Sequence, residues 1–272
     1  MISRVNIHLT HQEDALQQRA DWFRAQAGCA QLLCAAKQPD ADLPVLRITR
    51  SRSELAWNQE CLRFHPSLAL LRVMNVSQGQ PDRFLQATQL RPGDTCLDLT
   101  LGLATDALVA AWTVGEAGRV IGVERSPLLG ALVREGLSVL AEAQVPVVKN
   151  ACKQRAWMAL RQAASRIAVI WAEHGAYLAE QAADAVDVVY FDPMFRHTRK
   201  QSSAIRPLYD WAELSELQEE AVRQACRVAR RRVVMKERKG SGQFARLGFT
   251  VSSGGKYSEV DFGVIEVHSC NR

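Results

Sequence analysis

The sequence lacks the patterns that would place it in a membrane or a secretory pathway. Its apolar runs are much shorter than the ~20 residues needed to cross a bilayer, and charged residues interrupt all of them. The opening Met1-Ile2-Ser3-Arg4 leads directly into an alternating pattern, which is not the layout of a signal peptide. We therefore expect a cytoplasmic protein without membrane contact.

Patterns for disulfides and structural metals are also missing. The seven cysteines are odd in number and widely spaced, with no Cys-x-x-Cys pair and no Cys/His group at zinc spacing. Cys96 lies within an apolar run and is most simply a small buried side chain. The sequence predicts reduced thiols and no metal site.

The charge is moderately basic, at a formal +5, which permits a nucleic-acid partner without requiring one. Basic residues are concentrated in two places. One is the segment that carries Arg196, Arg199, Lys200 and Arg206, and the other is the stretch from Arg223 to Lys239, where eight basic residues accompany one acid. Because charge runs are usually solvated faces, both a binding surface and a plain surface remain open.

The first sixty residues predict a small α/β unit. Residues 5–9 and 45–49 have the pattern of strands, and Thr10-His11-Gln12-Glu13 has the spacing of a capping box that would open a helix to about residue 27. Residues 68–74 are interpreted as a connector, followed by a break at 79–81. We assign residues 1–62 to an N-terminal appendage and residues 63–272 to a larger domain.

From about residue 82, apolar strands alternate with amphipathic helices. The predicted strands span 95–99, 119–123, 166–171, 186–191, 232–236, 249–252 and 261–267. The predicted helices span 105–113, a segment from 127, 149–164 and 210–229. This alternation predicts a doubly wound, mostly parallel sheet. The last two strands leave no room for a crossover helix, so they should form an antiparallel pair.

An open α/β sheet binds its ligand beyond the carboxyl ends of the strands, so residues in those places carry the functional argument. After the first strand, Gly102 allows a tight turn, but Ala104 and Ala107 stand where a dinucleotide fingerprint has its next glycines. Asp98, at the end of that strand, suits a cationic ligand such as the ammonium of a methionine moiety. The turn alone is equally compatible with a purely structural connection.

Acidic residues also follow the next two strands. Glu124 comes 22 residues after Gly102, where a carboxylate can accept the hydroxyls of a ribose, although a surface acid is an equal alternative. Glu173 and His174 follow the third strand and are placed to contact an adenine, although a histidine there is more often an ordinary loop residue.

The motif Asp192-Pro193-Met194-Phe195 follows the fourth strand and is the most specific in the chain. The amino group of a guanine or adenine is a poor nucleophile because its lone pair is delocalised into the ring. Acceptors on the amino hydrogens, here Asp192 and the carbonyl of Pro193, would draw that lone pair out of conjugation, and proline fixes the backbone between them. Phe195 could stack on the base, which is worth about 1–3 kcal/mol. Asp-Pro alone is a common turn opener, but it fits less well after a fully apolar strand.

In order and spacing, these motifs resemble the RsmJ-type small-subunit ribosomal RNA guanine-N2 methyltransferases and their uncharacterised relatives. The resemblance covers about residues 64–267, and Met194 makes it specific because related amino-methylases usually have a second proline there. It implies a Rossmann-like, seven-stranded class I methyltransferase sheet, mostly parallel with a C-terminal antiparallel strand pair. It also implies S-adenosyl-L-methionine as the cofactor and ribosomal RNA as the partner.

The resemblance further implies roles for individual residues. Three pairs match family pairs that contact the cofactor, and Asp192 matches an acid that touches both cofactor and base. With the strand-end argument, the predicted cofactor residues are Asp98, Thr100, Gly102, Thr105, Asp106, Glu124, Arg125, Glu173, His174 and Asp192. The predicted catalytic residues are Asp192, Pro193 and Phe195, and the predicted RNA-binding residues are Phe195, Arg196, Arg199 and Lys200.

The chain departs from the RsmJ pattern in its first 60 residues, which match RsmJ poorly, and in two further places. Residues 64–73 are not glycine-rich, and Glu173-His174 stands where RsmJ proteins have small hydroxyl residues. These departures leave methyl transfer intact but put the exact substrate in question. The alternatives are a methyltransferase for a small-molecule or protein amine, and a non-catalytic RNA-binding module on the same fold. The intact Asp192-to-Phe195 motif argues against the second alternative.

Overall fold

The computed structural model of the protein describes residues 4–34, 43–58, 60–193, 216–252 and 258–267. Within these ranges the chain forms two sheets, and helices cover both faces of the larger one. No helix of the described ranges is both long and apolar enough to cross a bilayer. The cysteines at 29, 61, 96, 152 and 226 are free thiols, and Cys96 is buried as predicted.

The first sheet has five strands in the order β2-β1-β3-β4-β5. Its elements are β1 (Val5–Leu9), α1 (Asp14–Ala25), β2 (Leu33–Cys34), β3 (Val45–Ile48), β4 (Ser53–Trp57) and β5 (Glu60–Leu62). β1 pairs in parallel with β2 and β3, while β3, β4 and β5 form an antiparallel meander. The sequence predicted β1, α1 and β3, and it missed β2, β4 and β5.

The predicted capping box at Thr10 is wrong. Helix α1 begins at Asp14, with an extended Glu13 as its N-cap. The backbone N–H of Thr10 donates to the carbonyl of Ile48 at 3.1 Å, which continues the pairing of β1 with β3. The carboxylate of Glu13 accepts from Arg50 instead of reaching back to a backbone amide. Sheet pairing therefore satisfies the donor that the capping box would have used.

Two helices occupy the region interpreted as a connector. Helix α2 (Ser67–Ser77) buries Ala69, Leu70 and Val73 at helical spacing. Gly79, in the left-handed region at φ 81°, lies in the turn that leads to α3 (Arg83–Thr88). The N-cap of α3 is Asp82, whose carboxylate accepts the N–H of Leu85 at 3.1 Å.

The second sheet has seven strands in the order β11-β12-β10-β9-β6-β7-β8. Its strands are β6 (Thr95–Asp98), β7 (Arg119–Glu124), β8 (Ile167–Trp171), β9 (Val186–Phe191), β10 (Ala229–Arg238), β11 (Thr250–Ser252) and β12 (Val260–Glu266). Its helices are α4 (Thr105–Val114), α5 (Pro127–Glu142), α6 (Ala151–Ala164), α7 (His174–Glu180), α8 (Glu219–Val228) and α9 (Gln243–Arg246). All neighbouring strands are parallel except β12, which runs antiparallel to β10 and β11. The predicted fold class is confirmed, including the closing antiparallel pair. The predicted start of a helix at residue 210 lies outside the described residues. Within them the predicted helix over 210–229 is wrong for residues 216–218, because α8 begins only at Glu219 and its N-cap, Gln218, is extended.

One buried apolar cluster extends from the first sheet into the second. It runs from Val5 and Leu46 through the helices α2, α4, α5 and α6 to Val120 of β7, while a second cluster lies under α7, α8 and α9. Polar contacts reinforce this junction. Arg19 of α1 donates twice to one oxygen of Glu135 in α5, at 2.8 and 2.9 Å, and Ser53 donates to the same oxygen at 3.0 Å. The boundary between residues 62 and 63 stays a prediction.

Candidate active site

Three carboxylates lie at the carboxyl ends of three neighbouring strands. Asp98 ends β6, Glu124 ends β7 on one side of it, and Asp192 directly follows β9 on the other side. Asp98 and Glu124 are buried, with 3% and 8% of their surfaces exposed. Because an isolated buried carboxylate is costly, this concentration of acids indicates a site built for a ligand with positive charge and hydroxyl groups.

The turn after β6 is bent by two left-handed residues, a glycine and an alanine, on either side of Leu103. Gly102 has a φ of 50° and Ala104, which caps α4, has a φ of 59°. A left-handed alanine costs about 1–2 kcal/mol, so the surrounding packing must hold it in place. The bend directs the N–H of Gly102 to Oε2 of Glu124 at 3.1 Å. The turn therefore links the end of β6 to the end of β7, and the role of Gly102 in ligand binding stays a prediction.

Both oxygens of Glu124 accept a backbone donor. Oε1 accepts the N–H of Ser126 at 2.8 Å, and Oε2 accepts that of Gly102. Burial raises the pKa of Glu124 to about 7, and the backbone hydrogen bonds only partly oppose it. The backbone of Arg125 also donates to this carboxylate, and the acceptor capacity that remains fits hydroxyl donors such as those of the ribose of S-adenosylmethionine.

Asp98 has one backbone partner, the N–H of Thr100, which donates to Oδ1 at 3.0 Å. Burial raises the pKa of Asp98 to about 8, and the nearby carboxylates of Asp106, Asp192 and Glu124 raise it further. A cation beside Asp98 would relieve both effects. The residue therefore fits the ammonium group that the sequence analysis suggested for this place.

Asp192 is held by both its backbone and its side chain. Its N–H donates to Oγ1 of Thr100 at 2.6 Å, and its Oδ2 accepts from Nζ of Lys236 at 2.6 Å. Burial raises the pKa of Asp192, while the positive charge of Lys236 opposes this rise. Thr100, predicted as a cofactor residue, thus contacts the chain at the start of the Asp192-Pro193 turn.

Asp106 is the centre of a cluster of charges at the start of α4. Its Oδ1 accepts from Arg72 at 2.5 Å, and its Oδ2 accepts from the hydroxyl of Tyr190 at 2.8 Å and from Lys236 at 3.4 Å. Arg72 also donates twice to Asp82, at 2.7 and 3.0 Å. Burial would raise the pKa of Asp106, but the charges of Lys236 and Arg72 outweigh it and lower that pKa. This carboxylate, predicted to contact the cofactor, joins α2, β9 and β10 to α4.

The sequence analysis missed two members of that cluster, Arg72 and Lys236. The strand register reveals why Lys236 belongs there: Met235 of β10 pairs with Phe191 of β9, so Lys236 and Asp192 are the next residues on adjacent parallel strands. A lysine that follows Val233-Val234-Met235 at the carboxyl end of a predicted strand was the available signal. Helix α2 offered no comparable signal for Arg72.

The remaining predicted cofactor residues lie at the same edge of the sheet. Glu173 is the N-cap of α7, where it accepts the N–H of Ala176 at 2.8 Å, and its other oxygen lies 3.1 Å from Nδ1 of His174. The ring of His174 packs edge-on against Phe191. Arg125 follows Glu124 and is exposed, and Thr105 is the first residue of α4.

Part of the predicted site lies beyond residue 193, where the described range ends. Phe195, Arg196, Arg199 and Lys200 lie outside the described residues, together with Met194. The predicted catalytic set is therefore described only for Asp192 and Pro193. Among the residues that are described, no group of three histidine, cysteine or acidic side chains could hold a metal ion.

The basic stretch from Arg223 to Lys239 is largely paired within the fold. Arg230 pairs with Asp187 at 3.2 Å, Arg231 pairs with Asp94, and Arg232 pairs with Glu266 at 2.5 Å. Arg227 donates to the carbonyls of Leu178 and Gln181 at the end of α7, at 2.8 and 2.7 Å. Most of these charges stabilise strand and helix ends instead of forming an open cationic surface.

Comparison with known proteins gives a consistent result. A family model described as a putative SAM-dependent methyltransferase matches residues 64–261. An uncharacterized protein of Bacillus subtilis, YpiP, is 36% identical over 231 residues, which are 83% of each chain. The ribosomal RNA small subunit methyltransferase J of Pseudoalteromonas atlantica is 30% identical over 177 residues, 62% of each chain. That of Laribacter hongkongensis is 37% identical over 108 residues, 40% of this chain and 32% of its own length.

The fold has a counterpart among solved structures. The crystal structure of a SAM-dependent methyltransferase from Neisseria gonorrhoeae matches with a TM-score of 0.65, at 18% sequence identity, over 98% of this chain and 97% of its own. This likeness concerns the fold, and its coverage includes both sheets.

Proposed function

This chain belongs to the putative SAM-dependent methyltransferase family, and we propose that it methylates the exocyclic N2 amino group of a guanine in small-subunit ribosomal RNA. Its cofactor is S-adenosylmethionine, which supplies, when bound, a methyl group on a positively charged sulfur. The acceptor base and the RNA are the parts of the proposal that need testing.

The carboxylates at the strand ends would hold the cofactor. Asp98 would accept the ammonium group, and Glu124 would accept the ribose hydroxyls while its backbone bonds to Gly102 and Ser126 keep it in place. Arg125, Glu173 and His174 lie at the next strand ends, where they would border the adenine. Thr105 and Asp106 begin α4 beside the turn.

The observation that carries the proposal is the fixed position of Asp192 at the end of β9, next to these carboxylates. Its backbone N–H is held by Thr100 and one carboxylate oxygen by Lys236, so the other oxygen can accept an amino hydrogen of the base. The carbonyl of Pro193 would accept the second hydrogen. Catalysis would then consist mainly of positioning. In well-oriented intramolecular reactions, positioning lowers the activation free energy by about 7–11 kcal/mol.

The RNA assignment rests on the relatives and on the sequence that follows the site. Curated relatives named ribosomal RNA small subunit methyltransferase J match the chain over part of their length. Phe195 would stack on the base, and Arg196, Arg199 and Lys200 would contact phosphates next to it. The reaction would then take place in the cytoplasm, where ribosomal RNA is found.

Ribosomal RNA from cells with and without the gene tests the substrate directly. We expect one N2-methylguanine of the small-subunit RNA to disappear in the deletion strain and to be restored by the wild-type gene, but not by a gene for Asp192→Ala. Identical methylation in both strains would refute the RNA substrate and favour a small-molecule or protein amine.

The role of the basic segment can be tested by charge reversal. Because phosphate contacts release counterions, RNA binding should weaken steeply with salt. Arg199→Glu with Lys200→Glu should weaken RNA binding and leave S-adenosylmethionine binding unchanged. Arg91→Glu with Arg119→Glu is the matched control, because both residues are exposed and lie at the amino ends of β6 and β7, away from the site. Equal loss in both double variants would show a nonspecific effect of charge.

A further inference from the structure

Lys236 and Asp192 form a contact that the family assignment does not explain. They follow a paired position of β10 and β9, and Nζ lies 2.6 Å from Oδ2 of Asp192. Among the described residues, Oδ1 of Asp192 has no hydrogen-bond partner. Within the described part of the chain, Lys236 thus contacts one oxygen of this carboxylate and leaves the other open.

We propose that Lys236 is the positioning residue of the methyl-transfer site, which holds Oδ2 of Asp192 so that Oδ1 faces the amino group of the acceptor. This inference rests on the proposed role of Asp192 as an acceptor for that amino group. It also makes the site selective for acceptors that donate a hydrogen, because an ionised carboxylate offers only lone pairs.

The need for such a residue follows from the flexibility of aspartate. The terminal torsion of a carboxylate is broad and roughly two-fold, so an unheld Asp192 would sample many orientations. The backbone bond to Thr100 fixes the main chain but not this torsion. The ammonium group of Lys236 donates to Oδ2 and so restricts this torsion. Because the bond joins two charged groups, it is stronger than a hydrogen bond between neutral groups.

Lys236 is itself held by a second acid. Its Nζ lies 3.4 Å from Oδ2 of Asp106, and Asp106 is anchored by Tyr190 and Arg72. Arg72 is in turn fixed by its two bonds to Asp82. The lysine thus lies between the carboxylates of Asp106 and Asp192, and residues of β9 and α2 hold Asp106 in place. This arrangement restrains a side chain that would otherwise be flexible.

The same contact controls the charge of Asp192. The groups that face it are Lys236 of β10, Asp106 of α4, Arg72 of α2, Asp98 of β6, and Tyr190 of β9, with Glu237 beyond Lys236. Burial and the neighbouring acids raise the pKa of Asp192, and Lys236 is the main group that lowers it. Without the lysine, Asp192 would be protonated at a higher pH, and one of its oxygens would donate instead of accepting.

The test compares Lys236→Met, Lys236→Arg and, as a control for the loss of an exposed lysine, Lys153→Met. Substrates are S-adenosylmethionine and small-subunit RNA from the deletion strain. For Lys236→Met we expect kcat to fall about 100-fold, as a misplaced group typically causes, and the acid limb of the pH profile to move to higher pH. In Lys236→Arg the acid limb of the pH profile should stay at its wild-type pH, and kcat should be partly recovered. Lys153→Met should behave like wild type.

A titration of the Asp192 carboxyl by carbon-13 NMR gives a readout without RNA. The resonance is identified by its loss in Asp192→Asn, and its midpoint should move to higher pH in Lys236→Met. If wild-type protein does not methylate the RNA, the proposed substrate fails while this titration still decides the inference. An unchanged midpoint, or a wild-type kcat in Lys236→Met, would overturn it. Should that variant not fold, a wild-type kcat in Lys236→Arg would overturn it, because the bulkier guanidinium places its donors differently.

Discussion

The hydroxyl oxygen of Thr100 accepts the backbone N–H of Asp192 at 2.6 Å. The contact joins the chain after β6 to the chain after β9, two neighbouring parallel strands. The residue that ends the first strand, Asp98, and the residue that follows the second, Asp192, are therefore fixed relative to each other. A cofactor bound at Asp98 and an acceptor base bound at Asp192 would therefore lie at a defined distance from each other.

Substitution of Thr100 tests this connection. Thr100→Val has a similar shape but cannot accept the N–H of Asp192, so we expect the free energy of unfolding to fall by about 1 kcal/mol and methyl transfer to fall as well. Thr100→Ser keeps the acceptor and should remain close to wild type in both. Urea unfolding and methyl incorporation from labelled S-adenosylmethionine measure the two effects. Equal unfolding free energies and equal methyl incorporation in Thr100→Val and Thr100→Ser would show that the hydrogen bond is unimportant.

Removal of the Asp192 carboxylate should abolish turnover without unfolding the protein. In Asp192→Ala, Lys236 keeps its contact with Asp106, so no buried cation is left alone. Burial also raises the pKa of Asp192, which means that its charged form costs the fold some stability. We therefore expect no methyl incorporation by Asp192→Ala. Its thermal melting temperature should equal or exceed that of the wild type. Near-normal activity would show that the site has been misassigned.

The pH dependence of stability should reflect Asp98. Its pKa in the fold, about 8, lies above its ordinary value of 3.8, so the folded protein holds a proton that the unfolded chain has released. The stabilisation is complete below pH 3.8 and is lost as the pH rises towards 8. Within that window Asp98 should lower the free energy of unfolding by up to about 1.4 kcal/mol per pH unit.

Urea unfolding of the cofactor-free protein at several pH values measures this slope. Asp98→Asn keeps an acceptor for the N–H of Thr100 and cannot ionise, so its slope should be smaller than that of the wild type. Parallel curves for the two proteins would show that Asp98 is already ionised at neutral pH.

Two glycines of α5 offer a matched test of how this helix packs against the chain that follows β5. A Cβ at Gly136 would lie 2.3 Å from Cγ and 2.5 Å from Cβ of Phe64, which follows β5. A Cβ at Gly130 would meet nothing closer than 3.6 Å. Gly136→Ala should therefore cost about 1–3 kcal/mol by overpacking, whereas Gly130→Ala should be neutral or gain up to about 1 kcal/mol from helix propensity. Equal unfolding free energies would show that Phe64 moves aside freely.

The elements that the sequence predicted best are those whose pattern is local. The strands 5–9 and 186–191 have the predicted bounds because β-branched and other apolar residues mark them directly. Ser126 before Pro127 marks the start of α5 by itself, and its side chain caps that helix. The antiparallel pair of β11 and β12 followed from the short connection alone.

What the sequence could not supply depends on contacts between distant residues. Lys236 and Asp106 are 130 positions apart, and only the register of β10 beside β9 brings Lys236 to this place. Arg72 reaches Asp106 from a helix that was interpreted as a connector. Strands β4 and β5 are short and carry Ser53, Glu54 and Glu60, so their pattern resembles a loop until β3 provides a partner.

The buried cluster shared by the two sheets has a consequence for the order of events during synthesis. The apolar face of the first sheet packs against α5, which begins at residue 127, and Gly28 packs against Trp171. The first sixty residues therefore leave the ribosome long before their packing partners exist. Such exposed apolar surface attracts other chains until it is covered. We therefore expect the supply of chaperones and the rate of translation up to residue 171 to affect how much of the protein reaches its native state in the cell.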